Sequence, residues 1–254
     1  MCAMLIAEGE GFVPTERARG YWSRNSIQGR VLVGIVGHVL NERHGGDGFL
    51  PARLTIDMHR MAGFAPFTIE SRIIRDGGRL RLAQAVLISD GQEYVHATCQ
   101  FLRDGVPPEK PRWSGGNWDV PHPETLPQER LGEGVPLFDW RNISGKMGSP
   151  PPRRMWMRET LPLIEGAALS PWDRLVAAAD FASPWAHAVR FDPGYMNTDV
   201  SVQVHRMPRG EWIGFEATGH EASRGVAVGQ CRIHDLEGPI GFAATTALHQ
   251  PRSA

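Results

Sequence analysis

Asp180 is the residue whose type and place most invite chemistry. It closes the run Ala177-Ala178-Ala179 and lies four residues after Val176, so helical spacing sets its carboxylate on or beside an apolar stripe. A carboxylate there is costly unless it has partners or a task such as accepting a proton. The plainer reading, a capping or salt-bridged aspartate near a helix end, stays open on the residues alone. His59 and His205 also draw attention, but they hold equivalent places in two similar segments, and a structural role is expected for both. Arg60 and Arg206 beside them read as strand-end salt-bridge residues, with a phosphate contact as the alternative. Trp156, Trp172, Trp185 and Trp212 read as packing groups, one of which could line an apolar tunnel.

Other chemistries fail on spacing. There is no GxSxG elbow, no Walker loop and no dinucleotide fingerprint after a strand, and His220-Glu221-Ala222-Ser223-Arg224 lacks the second histidine of a metalloprotease helix. No metal or cofactor is expected. Cys2, Cys99 and Cys231 are an odd number without CxxC spacing, which suggests neither a disulfide framework nor a zinc site and fits a reducing cytoplasm. A formal charge of -1 over 254 residues argues against a nucleic-acid partner. No stretch approaches the roughly 18 apolar residues of a membrane span, and the opening Met-Cys-Ala-Met-Leu-Ile-Ala-Glu is too short and too soon acidic for a signal peptide.

The elements that must position Asp180 come from an internal repeat. Leu54-Thr-Ile-Asp-Met-His-Arg-Met61 returns as Val200-Ser-Val-Gln-Val-His-Arg-Met207, and the same spacing of 146 pairs Glu70 with Glu216, Ala97 with Ala243 and Leu102 with Leu248. A repeat of this length means two copies of one small domain. Each copy begins with a helix. In the first, Ile27, Val31, Leu32, Ile35, Val36, Val39 and Leu40 share a face behind an expected Ser26 N-cap. In the second, Ser170 caps, Pro171 takes the first helical position and Asp173 suits the positive end of the helix dipole, ahead of a stripe of Trp172, Leu175, Val176 and Ala179.

Four extended segments follow each helix, at about 52 to 60, 66 to 75, 80 to 89 and 93 to 103, and at 196 to 206, 211 to 218, 225 to 234 and 239 to 249. Their period-two alternation predicts antiparallel strands with one covered face. Between Asp104 and Pro152 lie 10 of the 20 prolines, so 105–152 reads as a connector between units at 1–104 and 153–254. Trp113, Trp118, Phe138 and Trp140 predict that it lies against a domain as an ordered strap. The fold class is therefore α+β, a double hotdog of two fused units, each a long helix wrapped by an antiparallel sheet.

Phe12-Val-Pro14, Ala18-Arg-Gly-Tyr-Trp22, the helix from Gly29, Arg53 to Asp57, Ala179-Asp180-Phe181, Asn197-Thr198-Asp199, His205-Arg206-Met207-Pro208 and Gly210-Glu211-Trp212 resemble the type II acyl-CoA thioesterase family and its bacterial thioesterase-like relatives. The resemblance covers nearly the whole chain apart from the connector. It implies hydrolysis of acyl-CoA to free acid and CoA by a water held by an Asp on the second helix, a small polar residue on the following strand and a Gln on the last strand. By position these fall on Asp180, on Asn197 or Thr198, and on Thr246. Thr246 is a departure, since a hydroxyl is shorter than a carboxamide. Backbone N–H groups of Gly29 and Arg30 at the first helix start are candidate donors to the thioester oxygen. Acyl-CoA is then the partner, and oligomers of double units fit the pattern.

Two rivals remain on the sequence. A hotdog enoyl-CoA hydratase pairs an Asp with a His five residues on, whereas His187 follows Asp180 by seven. A non-catalytic acyl or acyl-CoA binding protein is favoured by the departure at Thr246. Chain-length preference is not legible, because tunnel depth depends on how the two copies meet.

Overall fold

A computed structural model describes residues 3–106, 109–110, 116–129, 138–188 and 194–250. In the first half, a hairpin of β1 (Leu5–Glu8) and β2 (Gly11–Pro14) precedes α1 (Gly29–His44) and β3 (Phe49–Met58), β4 (Phe67–Asp76), β5 (Leu80–Ser89) and β6 (Gln92–Arg103). The second half carries β7 (Phe138–Ser144), β8 (Arg154–Glu159), α2 (Pro171–Ala179), α3 (Ala182–His187), β9 (Tyr195–Asn197), β10 (Asp199–Val204), β11 (Ile213–Ser223), β12 (Val226–Asp235) and β13 (Gly238–His249).

The strands form one antiparallel sheet in the order β1-β2-β4-β5-β6-β3-β10-β13-β12-β11-β8-β7, with β9 paired to β13. The order reads the same from either end once each strand is matched to its copy, so a pseudo-twofold axis runs through the β3–β10 seam. Thr55 pairs with Ser201 there, the hydroxyls 3.3 Å apart, and these two residues are separated by 146, the repeat spacing itself. The helices of both halves lie on one face of the sheet and meet each other across the axis. This is the double hotdog.

Burial explains the helix patterns. In α1, Val31, Leu32, Val33, Ile35, Val36, Val39 and Leu40 are all buried, which leaves little polar face on a helix enclosed by sheet and partner helix. Gly37 permits the close crossing: a Cβ there would lie 2.9 Å from Val176 Cγ2, and the Gly37 carbonyl accepts from Trp172 Nε1 at 3.0 Å. In α2 the capping box forms, with Ser170 Oγ accepting from the Asp173 N–H and Asp173 Oδ2 accepting from the Ser170 N–H.

Three expectations change. The N-cap of α1 is Gln28, because the Ser26 hydroxyl donates instead to the Ser23 carbonyl. The edge strands β1, β2 and β8 were not read from the sequence, and β7 falls inside the stretch expected to be a connector. The segment read as one strand at 196 to 206 is split at Thr198 into β9 and β10. The strap itself is ordered where described. Trp118 stacks on His234 at 3.7 Å, the Pro121 carbonyl accepts from Trp156 Nε1, and Glu124 accepts from Trp212 Nε1. Trp113 lies outside the described residues. Trp156, Trp172, Trp185 and Trp212 are all buried.

Candidate active site

Asp180 caps the C-terminus of α2. Pro184 cannot donate a fourth-residue bond back to the Asp180 carbonyl, so the chain tightens and the Ser183 N–H takes that carbonyl at 3.2 Å in the first turn of α3. This break aims the Asp180 side chain across the seam at the first turn of α1. The Arg30 backbone N–H donates to its carboxylate, and Asn197 Nδ2 donates to Oδ1 at 2.9 Å. A Cβ on Gly29 would sit 2.8 Å from Oδ1 and 2.9 Å from Oδ2, so only glycine lets the carboxylate settle there. Burial pushes the Asp180 pKa up, and the two donors with the Arg30 charge offset part of the rise.

The Arg30 N–H is thus turned on Asp180 rather than left for a ligand. Its guanidinium, on a side chain 6% exposed, is bound to Glu159 at 3.0 Å and lies over the Phe138 ring. Asn197 on β9 sits beside Asp180. Thr198 does not: its hydroxyl donates to the Thr246 carbonyl at 3.2 Å.

Thr246 is on the opposite face of the sheet from Asp180. It is exposed, and its N–H and hydroxyl both donate to the Asp199 carboxylate. The inward residues of β13 are its neighbours Thr245 and Ala247, the latter paired with Asn197. The expected trio of Asp180, Asn197 and Thr246 is therefore not brought together; Asp180 and Asn197 are.

A second polar cluster went unread in the sequence. His187 is fully buried, with Nε2 at 3.0 Å from Thr245 Oγ1 and Nδ1 at 2.9 Å from His220 Nδ1, and burial lowers its pKa to about 4. His187 thus bonds Thr245 and His220, not Asp180. The repeated histidines are peripheral: His59 packs edge-on against His96, and exposed His205 donates to the Pro239 carbonyl at 3.2 Å. Arg206 forms a two-pronged ion pair with Asp235, as expected for a salt-bridge residue, while Arg60 is exposed. Cys99 and Cys231 are buried and unbridged, and burial raises both thiol pKa values; Cys2 lies outside the described residues. Among the described residues no group of three or more His, Cys, Asp or Glu could hold a metal, and no helix is long and apolar enough to cross a membrane.

Comparison with known proteins agrees with this geometry. The nearly full-length overlap with solved structures fixes the class as a double hotdog: a hot dog protein of unknown function from Alicyclobacillus acidocaldarius (17% identity, TM-score 0.75, 98% of this chain and 96% of that one), the tesB protein of Mycobacterium avium subs paratuberculosis (17%, 0.71, 97% and 96%) and an acyl-CoA thioesterase II of Mycobacterium marinum (17%, 0.68, 90% and 92%). The family described as Acyl-CoA thioesterase C-terminal domain matches residues 103–248, more than half of the sequence, and this chain belongs to it. No curated protein matches the sequence.

Proposed function

We propose that this protein hydrolyses acyl-CoA to the free acid and CoA, with Asp180 as the base that orients and deprotonates the attacking water. The observation that carries the reading is the Asp180 carboxylate itself, held at the meeting of the two halves by the Arg30 N–H and the Asn197 carboxamide. A carboxylate whose pKa is raised is a stronger base toward the proton of the attacking water. Water adds to the thioester carbon as Asp180 takes its proton; the tetrahedral oxyanion then collapses and expels the CoA thiolate, which takes the proton back. Asn197 holds the carboxylate in register, and the Gly29 N–H in the same helical turn is the remaining candidate donor to the oxyanion. Asp180 with Asn197 replaces the three-residue arrangement that the resemblance implies, since Thr246 faces away. The buried thiols of Cys99 and Cys231 fit the cytoplasmic setting of such an enzyme.

Thiol release from a panel of acyl-CoA thioesters, short to long, tests this. Turnover with at least one member is expected, with the acid limb of kcat/KM above the ordinary carboxylate value of 3.8. Among the described residues the carboxamide bonded to Asp180 is the short one of Asn197, which favours a second reading, an acyl-CoA binding protein without turnover, which binding of a non-hydrolysable thioether analogue in the absence of thiol release would support. Crotonyl-CoA hydration is not expected, because His187 is committed to Thr245 and His220.

A further inference from the structure

We infer that Glu159 is a positioning residue for this site: paired with Arg30, it fixes the first turn of α1 against Asp180 and cancels a guanidinium charge that the carboxylate would otherwise feel. The inference rests on the hydrolytic reading of Asp180. Glu159 ends β8, its side chain is 1% exposed, and it meets Arg30 Nη1 at 3.0 Å; Arg30 is 6% exposed by its side chain, and its Nη2 touches Met4 Sδ at 3.5 Å. The same residue therefore donates its backbone N–H to Asp180 and places its guanidinium in a sealed ion pair with Glu159. A rotation of this first turn would move both contacts together.

Stability alone does not account for the pair. Replacing a sealed ion pair by well-packed apolar groups of similar volume is often neutral or stabilising. The charge balance has a local use instead. Arg30 is the charged group that faces Asp180 from α1, and the side chain facing it from β9 is the neutral Asn197. Around Glu159 the charged groups are Arg30 and, farther off, Arg174 of α2, which is itself bridged to Glu211. Burial pushes the Glu159 carboxyl up, and the Arg30 charge and hydrogen bond pull it back; paired in this way, Glu159 answers the Arg30 charge and Asp180 stays a stronger base. Without that answer the positive field favours ionised Asp180, lowering its pKa and weakening it as a proton acceptor.

The test uses the intact chain, in wild type, Glu159→Gln and the double variant Arg30→Met/Glu159→Gln. It reads the Asp180 carboxyl titration by carbon-13 NMR, assigned with Asp180→Asn, beside the pH profile of kcat/KM. Glu159→Gln should lower the Asp180 midpoint and the acid limb by about half a pH unit or more, and the double variant should return both to within about 0.3 unit of wild type. A folded Glu159→Gln with an unmoved midpoint overturns the inference. If the single variant does not fold, the double variant decides, since neutral groups are tolerated where a buried pair is removed whole: a midpoint within about 0.3 unit of wild type supports the charge balance, and a larger shift overturns it. Should wild type release no thiol while the midpoints move as stated, hydrolysis fails and the positioning role stands; hydrolysis with immobile midpoints gives the reverse.

Discussion

The two ends of the α1–α2 pair are copies of one arrangement put to opposite uses. Asp180 stands nine residues after Pro171, and His38 stands nine after Gly29, so each helix presents a titratable side chain to the first turn of the other. At one end, α1 starts with no side-chain cap on Gln28 and no acidic residue in its first turn, so its positive end is open and takes Asp180. At the other, α2 has closed its own start with the Ser170–Asp173 capping box, and the opposing residue is a histidine, whose Nδ1 meets Asp173 Oδ1 at 3.1 Å. A helix start that supplies its own carboxylate attracts a cation; one that lacks it can hold a reactive carboxylate. The chemistry follows the missing cap.

That contrast breaks most visibly at Asp180. Asp180→Asn keeps the shape and should lower acyl-CoA turnover about 100-fold or more while leaving the melting temperature nearly unchanged; equal rates would remove Asp180 from the mechanism. Gly29→Ala comes next. Its methyl must displace the carboxylate it would otherwise overlap, and turnover should fall roughly tenfold or more, with the Asn197 contact loosened, measured as thiol release.

At the opposite end the effect should fall on stability. The His38–Asp173 bond raises the His38 pKa, so its contribution is complete below the unfolded histidine value of 6.5 and is lost as pH rises through the folded value. His38→Ala should cost about 1 kcal/mol near pH 6, with the melting-temperature gap to wild type closing toward pH 9 and turnover changed less than about twofold. A gap that widens with pH would refute the pairing. The smallest effect is expected at Thr246, where Gln or Val should leave the rate within about twofold, because the side chain faces away from Asp180. A gain with Gln would return the last-strand residue to the site.

Much of this was legible. The 146-residue echo marked the axis itself, since Thr55 and Ser201 meet on it, and the Ser170-Pro171-Asp173 start of α2 is a local signal that needed no tertiary context. The edge strands were hidden for the opposite reason. Strands β1 and β2 are four residues each and owe their place to pairing, β2 with β4 and β1 with β2, while β7 is a proline-free segment within proline-rich surroundings. Asp180 stood out by its apolar flank, and Asn197 by position. Thr246 misled because Thr245 and Thr246 are identical neighbours, so the sequence cannot say which faces inward; burial selects Thr245. Glu159 gave no signal, and His187 was weighed only against Asp180, since their partners lie 129 and 58 residues away.

The seam at β3 and β10 also sets a timetable. Residues that pair there are separated by 146 positions at the axis, and at about 5–20 residues per second a ribosome needs roughly 7–30 s to deliver the second after the first. Once β6 has followed, β3 has its partner on one side and, until β10 arrives, a bare edge on the other, a row of open N–H and C=O groups beside apolar Leu54 and Ile56. A first half that folds ahead of the second would present a strand edge ready to pair with another chain, and the yield of correctly closed protein would depend on how many such edges are present at once.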